Sequence, residues 1–306
     1  MRIGIMAGAT GGGETIDDLV GQAKEFEARG FDSMWLANIF GLDAISLAGL
    51  IGRETERIEL GTAVVPSYPR HPVAIAQQAL TTQAACRGRF ALGIGLSHKI
   101  VIEDMFGLSY ARRAAHMREY LAVLAPLLRG EPAKFEGEEY RVNCGLQVPG
   151  ASPTPVLVAA LGEQMLRITG RDAAGTILWM TGPATIEEHI GPRLRAAAAE
   201  AGRPEPRIVA GLPIVLTSNP DAVREVVGKM LVMYGTLPSY RSMLDKEGAS
   251  GPADVALVGD EAALDAALAR LRDIGVTDFD AAIIPAEDGA RERTLDYLQS
   301  RLARLA

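Results

Sequence analysis

The sequence predicts a (β/α)8 barrel, the TIM-barrel fold, with insertions, and three observations support this fold class. Short apolar runs of strand length alternate with longer amphipathic segments along all 306 residues. The strands of the first half are continuously apolar, which is typical of a parallel sheet covered by helices. Eight strand–helix units can be assigned, the number that closes such a barrel. A doubly wound open sheet is the competing layout, but no GxGxxG motif opens a helix after the first strand.

Four strand–helix units fill the first half of the chain. The first helix has clear ends, because Thr15 can cap it, its first turn is acidic and Gly30 follows it. The predicted strands are RIGIMAG, SMWLAN, IELGTAVV and RFALGIGLS, and the helices after the first three are TIDDLVGQAKEFEARG, DAISLAGLIGRET and PVAIAQQALTTQAACRG. After the fourth strand the pattern is interrupted at IVIEDMFGLS and continues in the long helix YARRAAHMREYLAVLAPLLRG.

The second half repeats this pattern less regularly. FEGEEYRVN predicts a short hairpin within an insertion near residues 130–150. The remaining strands are PVLVAAL, TILWMTG, RIVAGLPIVLT and DFDAAIIP, and the helices between and after them include GEQMLRITGRDAAG, ATIEEHIGPRLRAAAAEAG, DEAALDAALARLRDIG and ARERTLDYLQSRLARL. An extended helical segment near residues 221–250 is interrupted at YGTLPSY. We therefore expect one barrel domain over residues 1–306.

The composition favours a soluble cytoplasmic protein and argues against several partner classes. A net charge of −7 and a pI near 5.3 disfavour nucleic acid or an anionic membrane, since both attract clustered lysine and arginine. Cys86 and Cys144 lie far apart without a CxxC or Cys/His pattern, so we expect neither a disulfide framework nor a metal site. The N-terminus reaches glycine and polar residues too early for a signal peptide, and no apolar run approaches the roughly 20 residues of a membrane span.

The candidate active site lies where the predicted strands end. In barrels of this type the catalytic face is formed by the loops after the carboxyl ends of the strands. For the first four strands these are residues 7–11, 37–40, 65–71 and 95–99. In the third, the apolar run GTAVV gives way to PSYPRHP, whose prolines make a rigid rim carrying polar side chains. The glycine-rich stretch GATGGGE after the first strand favours a flexible turn over a phosphate-binding loop.

Several stretches resemble a known family. GTAVVPSYPRHPVAIAQQALTTQAACRGRFALGIGLSHK is similar to the signature of the bacterial luciferase-like superfamily, especially the actinobacterial branch that uses coenzyme F420. ALGEQMLRITGRDAAGTILW and DVALVGDEAALDAALARLRDIGVTDFDA extend the resemblance over nearly the whole chain. It implies a luciferase-like barrel that binds a flavin or deazaflavin in its mouth, a cis peptide between Ala63 and Val64 behind the cofactor ring, a small-molecule substrate and a homodimer.

The resemblance also implies which residues contact the cofactor. Its phosphate would bind at AALGEQ, where a glycine-containing helix start offers free N–H groups. The phosphate contacts are Ala160, Leu161, Gly162 and Glu163, and the other cofactor contacts are Ala7, Ala37, Asn38, Ala63, Val64, Gly95, Leu178, Trp179 and Met180. The Glu163 carboxylate is an unfavourable neighbour for a phosphate. Arg167 either offsets that charge or is a solvated surface residue.

Catalytic and substrate-binding candidates come from the same loops. We expect His98 to line the site and to be the leading proton donor, with bound water as the alternative, and Asn38 to orient cofactor or substrate through its amide. The candidate substrate contacts are Ile39, Phe40, Tyr68 and Arg70, of which the last two could instead form a rigid cap over the barrel. The other histidines are expected to shape a loop (His71), to pack or form an ion pair (His116) and to lie on the surface (His189).

The implied activity is F420-dependent hydride transfer to or from an undetermined organic substrate. The alternatives are an FMN-dependent monooxygenase and a flavin-binding protein without turnover. In deazaflavin-dependent sugar-phosphate dehydrogenases the second strand ends in an aspartate-histidine-phenylalanine run. Alignment on Trp35 and Phe40 places Asn38 and Ile39 at the first two of these positions. Because isoleucine cannot carry a proton, we expect that sugar phosphates are not the substrate.

Overall fold

Parallel strands close into a barrel in the computed structural model, which describes residues 1–8 and 13–305. The strands are β1 (Arg2–Ala7), β2 (Ser33–Leu36), β3 (Glu59–Thr62), β4 (Val65–Pro66), β5 (Phe90–Gly95), β6 (Ala133–Glu136), β7 (Arg141–Cys144), β8 (Val156–Val158), β9 (Gly175–Trp179), β10 (Arg207–Leu216), β11 (Leu257–Gly259) and β12 (Asp278–Ile283). Among the described residues, the barrel order is β1, β2, β3, β5, β8, β9, β10 and β12, and β12 pairs with β1 in parallel. The predicted (β/α)8 fold is confirmed.

Helices follow the barrel strands and cover their outer faces. They are α1 (Ile16–Arg29), α2 (Ala44–Glu54), α3 (Pro72–Ala85), α4 (Arg113–Leu128), α5 (Glu163–Asp172), α6 (Pro183–Thr185), α7 (Gly191–Glu200), α8 (Pro220–Met230), α9 (Val232–Thr236), α10 (Pro238–Glu247), α11 (Glu261–Asp273) and α12 (Ala290–Leu305). As predicted, Thr15 caps α1 in a capping box with Asp18, and Gly30 ends this helix with a left-handed φ of 90°. No helix in the described part of the chain is long and apolar enough to cross a bilayer.

Two excursions interrupt the regular alternation on the catalytic face. The break predicted at IVIEDMFGLS contains a π-helix over Ile100–Met105. The helical segment after β10 consists of α8, α9 and α10, and its interruption falls at Leu237, between α9 and α10. The glycine-rich stretch after β1 lies partly outside the described residues, at positions 9–12.

Apolar side chains fill the barrel interior, and ion pairs close its lower end. The interior cluster consists of Trp35, Ala91, Leu157, Ile177 and Val209. Gly61 makes room for the indole, because a Cβ at this position would collide with the Trp35 ring. At the amino ends of the strands, Arg207 pairs with Glu59 at 2.8 Å and with Asp278 at 2.9 Å. The carboxyl ends are therefore the open end of the barrel.

The insertion near residues 130–150 contains the antiparallel hairpin of β6 and β7, which a buried carboxylate anchors to α4. The carboxylate of Glu119 accepts backbone hydrogen bonds from Glu138 at 3.3 Å, Glu139 at 2.8 Å and Tyr140 at 3.2 Å. Burial opposes ionisation, but these N–H donors outweigh it and hold the pKa of Glu119 below its usual value. Hairpin and barrel are thus joined through a charged hydrogen-bond acceptor.

We expect Glu119→Gln to lower the free energy of unfolding by roughly 1–3 kcal/mol and to speed amide exchange at residues 138–140. The carboxylate stabilises the fold above the unfolded glutamate pKa of about 4.3, and this contribution is lost as the pH falls through the lower folded-state value. Urea unfolding and hydrogen exchange measure both effects. The control is Glu136→Gln on the same hairpin, whose exposed pair with Arg141 should contribute less than about 1 kcal/mol. Equal effects of the two substitutions would contradict the anchoring role.

Candidate active site

A cavity of about 1540 Å³ opens at the carboxyl ends of the barrel strands. The strand ends form its floor, and three further segments form its walls: the excursion after β5, the start of α5, and the helices from the end of α8 to α10. Most of the predicted site residues line this cavity, namely Ala37, Asn38, Ile39, Phe40, Ala63, Val64, Arg70, Gly95, His98, Leu161, Gly162, Glu163, Leu178 and Trp179.

Four predicted residues lie outside the cavity wall. Ala7, Ala160 and Met180 are at most 6% exposed and are packed in the hydrophobic core. Each directly follows a residue that does line the cavity, namely Met6, Ala159 and Trp179. The fourth is Tyr68, whose ring stacks on His116 with centroids 3.9 Å apart instead of facing the cavity.

Small residues line the cavity floor. The peptide between Ala63 and Val64 is cis, as the resemblance implied. It separates β3 from β4, so the run predicted as one strand forms two short ones. A Cβ at Gly95 would lie 2.7 Å from a methyl carbon of Val64 and 3.3 Å from Cβ of Ala159, so only glycine fits at this point of the floor. The surface formed by these four residues is suited to a planar ring.

At the cavity wall, the start of α5 offers backbone N–H donors that have no acceptor within the helix. Gly162 precedes the helix without a side-chain cap, and the first intrahelical bond runs from Leu166 N–H to the Gly162 carbonyl. The N–H groups of the first helical turn, beginning at Glu163, therefore have no intrahelical acceptor. They can bind an anionic group, because the helix dipole also favours negative charge here.

A histidine predicted at the surface holds this anion-binding turn. His189 is 8% exposed, and its Nε2–H donates to the Leu161 carbonyl oxygen at 2.8 Å. Burial lowers the pKa of His189, so the ring is neutral with its proton on Nε2. The surface prediction for His189 is therefore wrong, because His189 belongs to a π-helix over Ile186–Ile190 that directs its ring toward the start of α5.

The carboxylate of Glu163 pairs with an arginine on a different helix. Arg193 on α7 lies 3.2 Å from Glu163, which offsets the unfavourable charge beside the anion-binding turn. Arg167, the partner considered from sequence, is exposed and forms no ion pair with Glu163 in the described part of the chain. Arg193 lies thirty residues beyond Glu163, so no local spacing could identify it.

His98 and Asn38 direct polar atoms at the cavity. His98 is half-buried, and its ring lies 5.6 Å from that of Tyr240 on α10. Burial lowers the pKa of His98, so the imidazole is mostly neutral near neutral pH and can accept a proton. The Ala44 N–H donates to Oδ1 of Asn38 at 3.0 Å, which fixes the orientation of the amide. Nδ2 of Asn38 is then the atom available to donate to a ligand.

The polar rim after β4 is mainly structural. His116 is 4% exposed, lies 2.9 Å from Oγ of Ser67, and burial lowers its pKa to about 4. The packing role expected for His116 is therefore confirmed. His71 accepts from the Val73 N–H at 3.3 Å at the start of α3, so it shapes the loop as predicted. Arg70 both lines the cavity and pairs with Asp43 at 2.6 Å.

The aromatic and methionine side chains that α8, α9 and α10 contribute to the cavity wall were not identified from sequence. Trp179 on β9 meets Tyr234 of α9 edge to face at 5.9 Å, and Tyr234 meets Tyr240 at 5.3 Å. These contacts join the strand ends to the helices above them. The only sequence signal was the interrupted helical segment, whose methionines Met230 and Met233 face the cavity.

Comparison with known proteins identifies similar chains. A family model described as luciferase-like monooxygenase matches residues 1–302. An F420-dependent glucose-6-phosphate dehydrogenase from Nakamurella multipartita is 31% identical over 218 residues, which cover 66% of this chain and 63% of the relative. A coenzyme F420-dependent tetrahydromethanopterin reductase from Methanopyrus kandleri superimposes with a TM-score of 0.81 at 19% identity, over 99% of this chain and 98% of that one. A type II Baeyer–Villiger monooxygenase from Pseudomonas putida in complex with FMN gives a TM-score of 0.78 at 16% identity, over 100% and 98%.

Proposed function

The chain belongs to the luciferase-like monooxygenase family of oxidoreductases, and on this premise we propose that it uses coenzyme F420 to transfer a hydride to or from an organic substrate. One observation carries the proposal: a floor of small side chains, which leaves room for a planar ring, and a helix start suited to an anion open onto the same cavity. Relatives named for F420 dependence support the deazaflavin in particular.

The residues present fit a flavin-type cofactor. Its ring would lie on Ala63, Val64, Gly95 and Ala159, where larger side chains would remove the space. Its phosphate would bind the free N–H groups that begin at Glu163, with His189 holding the turn. Both features suit FMN as well, and an FMN-dependent monooxygenase is the second candidate because a solved structure of this fold contains FMN.

When bound, the deazaflavin supplies or accepts a hydride, and the chain provides the proton path. With an alcohol as substrate, neutral His98 would accept the hydroxyl proton, and with a carbonyl substrate protonated His98 would return a proton to the oxygen. Asn38 Nδ2–H donates to the reacting oxygen or to the ring, and the walls around the cavity exclude water. His98 and Asn38 are thus the proposed catalytic pair.

Sugar phosphates are excluded from the proposal, although relatives act on glucose 6-phosphate according to their names. Ile39 lines the cavity and is 50% exposed, so an apolar side chain stands where the family resemblance implies a histidine in sugar-phosphate dehydrogenases. It can neither move a proton nor hydrogen-bond a sugar hydroxyl. The cytoplasmic location remains a prediction from the composition, and the homodimer remains a prediction from the resemblance.

We expect F420 to bind at least about tenfold more tightly than FMN, a difference of about 1.4 kcal/mol. Parallel titrations followed by cofactor fluorescence measure both affinities. Gly95→Val serves as the site control, because its side chain would occupy the floor and should weaken both ligands. Equal or tighter binding of FMN would contradict the F420 assignment and favour the monooxygenase. Efficient oxidation of glucose 6-phosphate by the loaded protein would contradict the exclusion of sugar phosphates.

A further inference from the structure

The cavity is larger than one ligand requires. Binding cavities for a single small molecule usually measure about 300–1,000 Å³, whereas this one measures about 1540 Å³. With the cofactor on the floor and at the start of α5, the unfilled part lies under the outer walls. That part is the substrate half of the site, an assignment that rests on the proposed function.

Charged side chains are kept away from the outer walls. These walls come from residues 39–40, the excursion at 96–110 and the helices at 230–243, and within the described residues none of their lining side chains is an acid, a lysine or an arginine. The same segments do contain charges. Lys99 pairs with Glu103 at 3.5 Å, and Arg241 pairs with Asp245 at 2.8 Å, all away from the cavity.

Large apolar side chains occupy these walls instead, and many are exposed. Phe40 is 63% exposed, Met105 60% and Met233 65%. Six of the ten methionines line the cavity, namely Met6, Met105, Met165, Met230, Met233 and Met243. Methionine adapts its shape to irregular apolar ligands, and a contiguous exposed apolar surface of this kind marks a binding site.

Charged residues elsewhere on the cavity surface already have partners. Arg70 pairs with Asp43, Arg112 with Glu138 and Glu163 with Arg193. The Arg113 guanidinium lies over the Tyr110 ring, 5.4 Å from its centroid. A charged substrate would have to compete with these contacts while also desolvating against the apolar walls.

We propose that the substrate is an uncharged, predominantly hydrocarbon molecule with one alcohol or carbonyl group placed at His98. A small molecule fits better than a protein surface, because the apolar side chains converge on a cavity. Phe40 and Phe106, from two separate segments, meet edge to face at 6.4 Å across its rim. The hydrocarbon body contacts the methionine-rich walls, and the single polar group is the reacting one.

The test uses the F420-loaded protein and the neutral fluorescent probe N-phenylnaphthylamine. Met233→Gln and Phe106→Gln should each weaken probe binding by about tenfold, the effect of losing a buried apolar contact. Both side chains are at least 41% exposed, so the fold does not depend on them. The matched control is Leu50→Gln on α2, 49% exposed and outside the cavity, which should bind like wild type. A long-chain primary alcohol should displace the probe more effectively than the carboxylate of equal chain length.

Three results would overturn the proposal. They are unchanged probe binding by both cavity variants, stronger displacement by the carboxylate, and a change of molar mass in light scattering when Met233 or Phe106 is replaced, which would assign the apolar rim to a second copy of the chain. F420 affinity is measured separately by fluorescence. If F420 does not bind but the probe pattern holds, the proposed cofactor is wrong and the apolar site stands; if F420 binds and the pattern is absent, only the apolar site is wrong.

Discussion

Replacing His98 with alanine is expected to slow hydride transfer by about 10²- to 10⁴-fold, the usual contribution of a general acid or base. His98 lines the cavity and makes no side-chain hydrogen bond within the described part of the chain, so its ring nitrogens are available to substrate. Because burial lowers the pKa of His98, the rate of alcohol oxidation should rise with pH through that lowered value and level off at neutral pH. Stopped-flow measurement of cofactor absorbance at several pH values tests both expectations.

His71 provides the matched control, since it lies on the same face of the barrel, is exposed and does not line the cavity. His71→Gln should leave the rate and its pH profile within about twofold of wild type. Cofactor affinity is monitored separately in each variant. If His98→Ala retains both the rate and the pH profile, His98 is only part of the wall and bound water becomes the proton donor.

Asn38 requires a different substitution, because its Oδ1 accepts from the Ala44 N–H at the start of α2. Alanine would remove this local contact together with the donor. Asn38→Asp keeps an acceptor for Ala44 but exchanges the Nδ2 donor for a negatively charged oxygen, so a change in rate with that variant reports on the lost donor together with the added charge. Asn38 thus has two roles: its Oδ1 accepts from the start of α2, and its Nδ2 is available to donate to a ligand.

The sequence predicts the parts of this molecule that depend on local patterns. Gly30 at the end of α1 and Gly162 at the start of α5 were placed correctly, because a turn or a helix start restricts the residue type within a few positions. The sequence did not predict which side chains of an apolar strand face the cavity. Ala7 was assigned to the site although its neighbour Met6 is the residue that lines the cavity, because a continuously apolar strand does not show which side chains point inward.

Contacts between distant elements could not be predicted in this way. His189 reaches Leu161, and Arg193 reaches Glu163, only because α5 and α7 pack side by side. The outer apolar wall has the same origin, since Phe40 and Phe106 meet across separate excursions. From sequence, each residue of these pairs reads as an ordinary surface or core residue. Only the folded chain brings it next to its partner.

Replacing Asp280, a buried aspartate inside the barrel, should have a large effect on the free energy of unfolding. Asp280 on β12 is fully buried, and within the described part of the chain neither carboxyl oxygen has a hydrogen-bond partner. Burial, with a further contribution from Asp278, raises the pKa of Asp280 well above its usual value, so the folded state keeps the carboxyl protonated. In the unfolded chain the same group ionises near pH 3.9.

The sign of the pH dependence follows from these two states. Above the unfolded pKa the folded protein binds one more proton at Asp280 than the unfolded chain, so stability falls as the pH rises toward the folded-state pKa. For each unit by which the pH exceeds the unfolded-state pKa, up to the folded-state pKa, the free energy of unfolding falls by about 1.36 kcal/mol. We expect Asp280→Asn, which has nearly the same shape and no charge, to raise the free energy of unfolding at neutral pH and to flatten its decline with pH. Urea unfolding across roughly pH 5 to 9 measures this slope.

Asp278 is the matched control for Asp280, because it lies two residues earlier on the same face of β12 and is also buried. Its carboxylate pairs with Arg207 at 2.9 Å, so Asp278→Asn removes one of the two carboxylates that contact this guanidinium and leaves only Glu59 at 2.8 Å. That substitution should destabilise the fold by about 1–3 kcal/mol, the usual cost of weakening a charged hydrogen-bond network on one side. The two substitutions thus have opposite expected signs at neutral pH. If Asp280→Asn also destabilises the protein and leaves the pH slope unchanged, the Asp280 carboxyl is not an unpartnered neutral acid, and the barrel interior stabilises its ionised form.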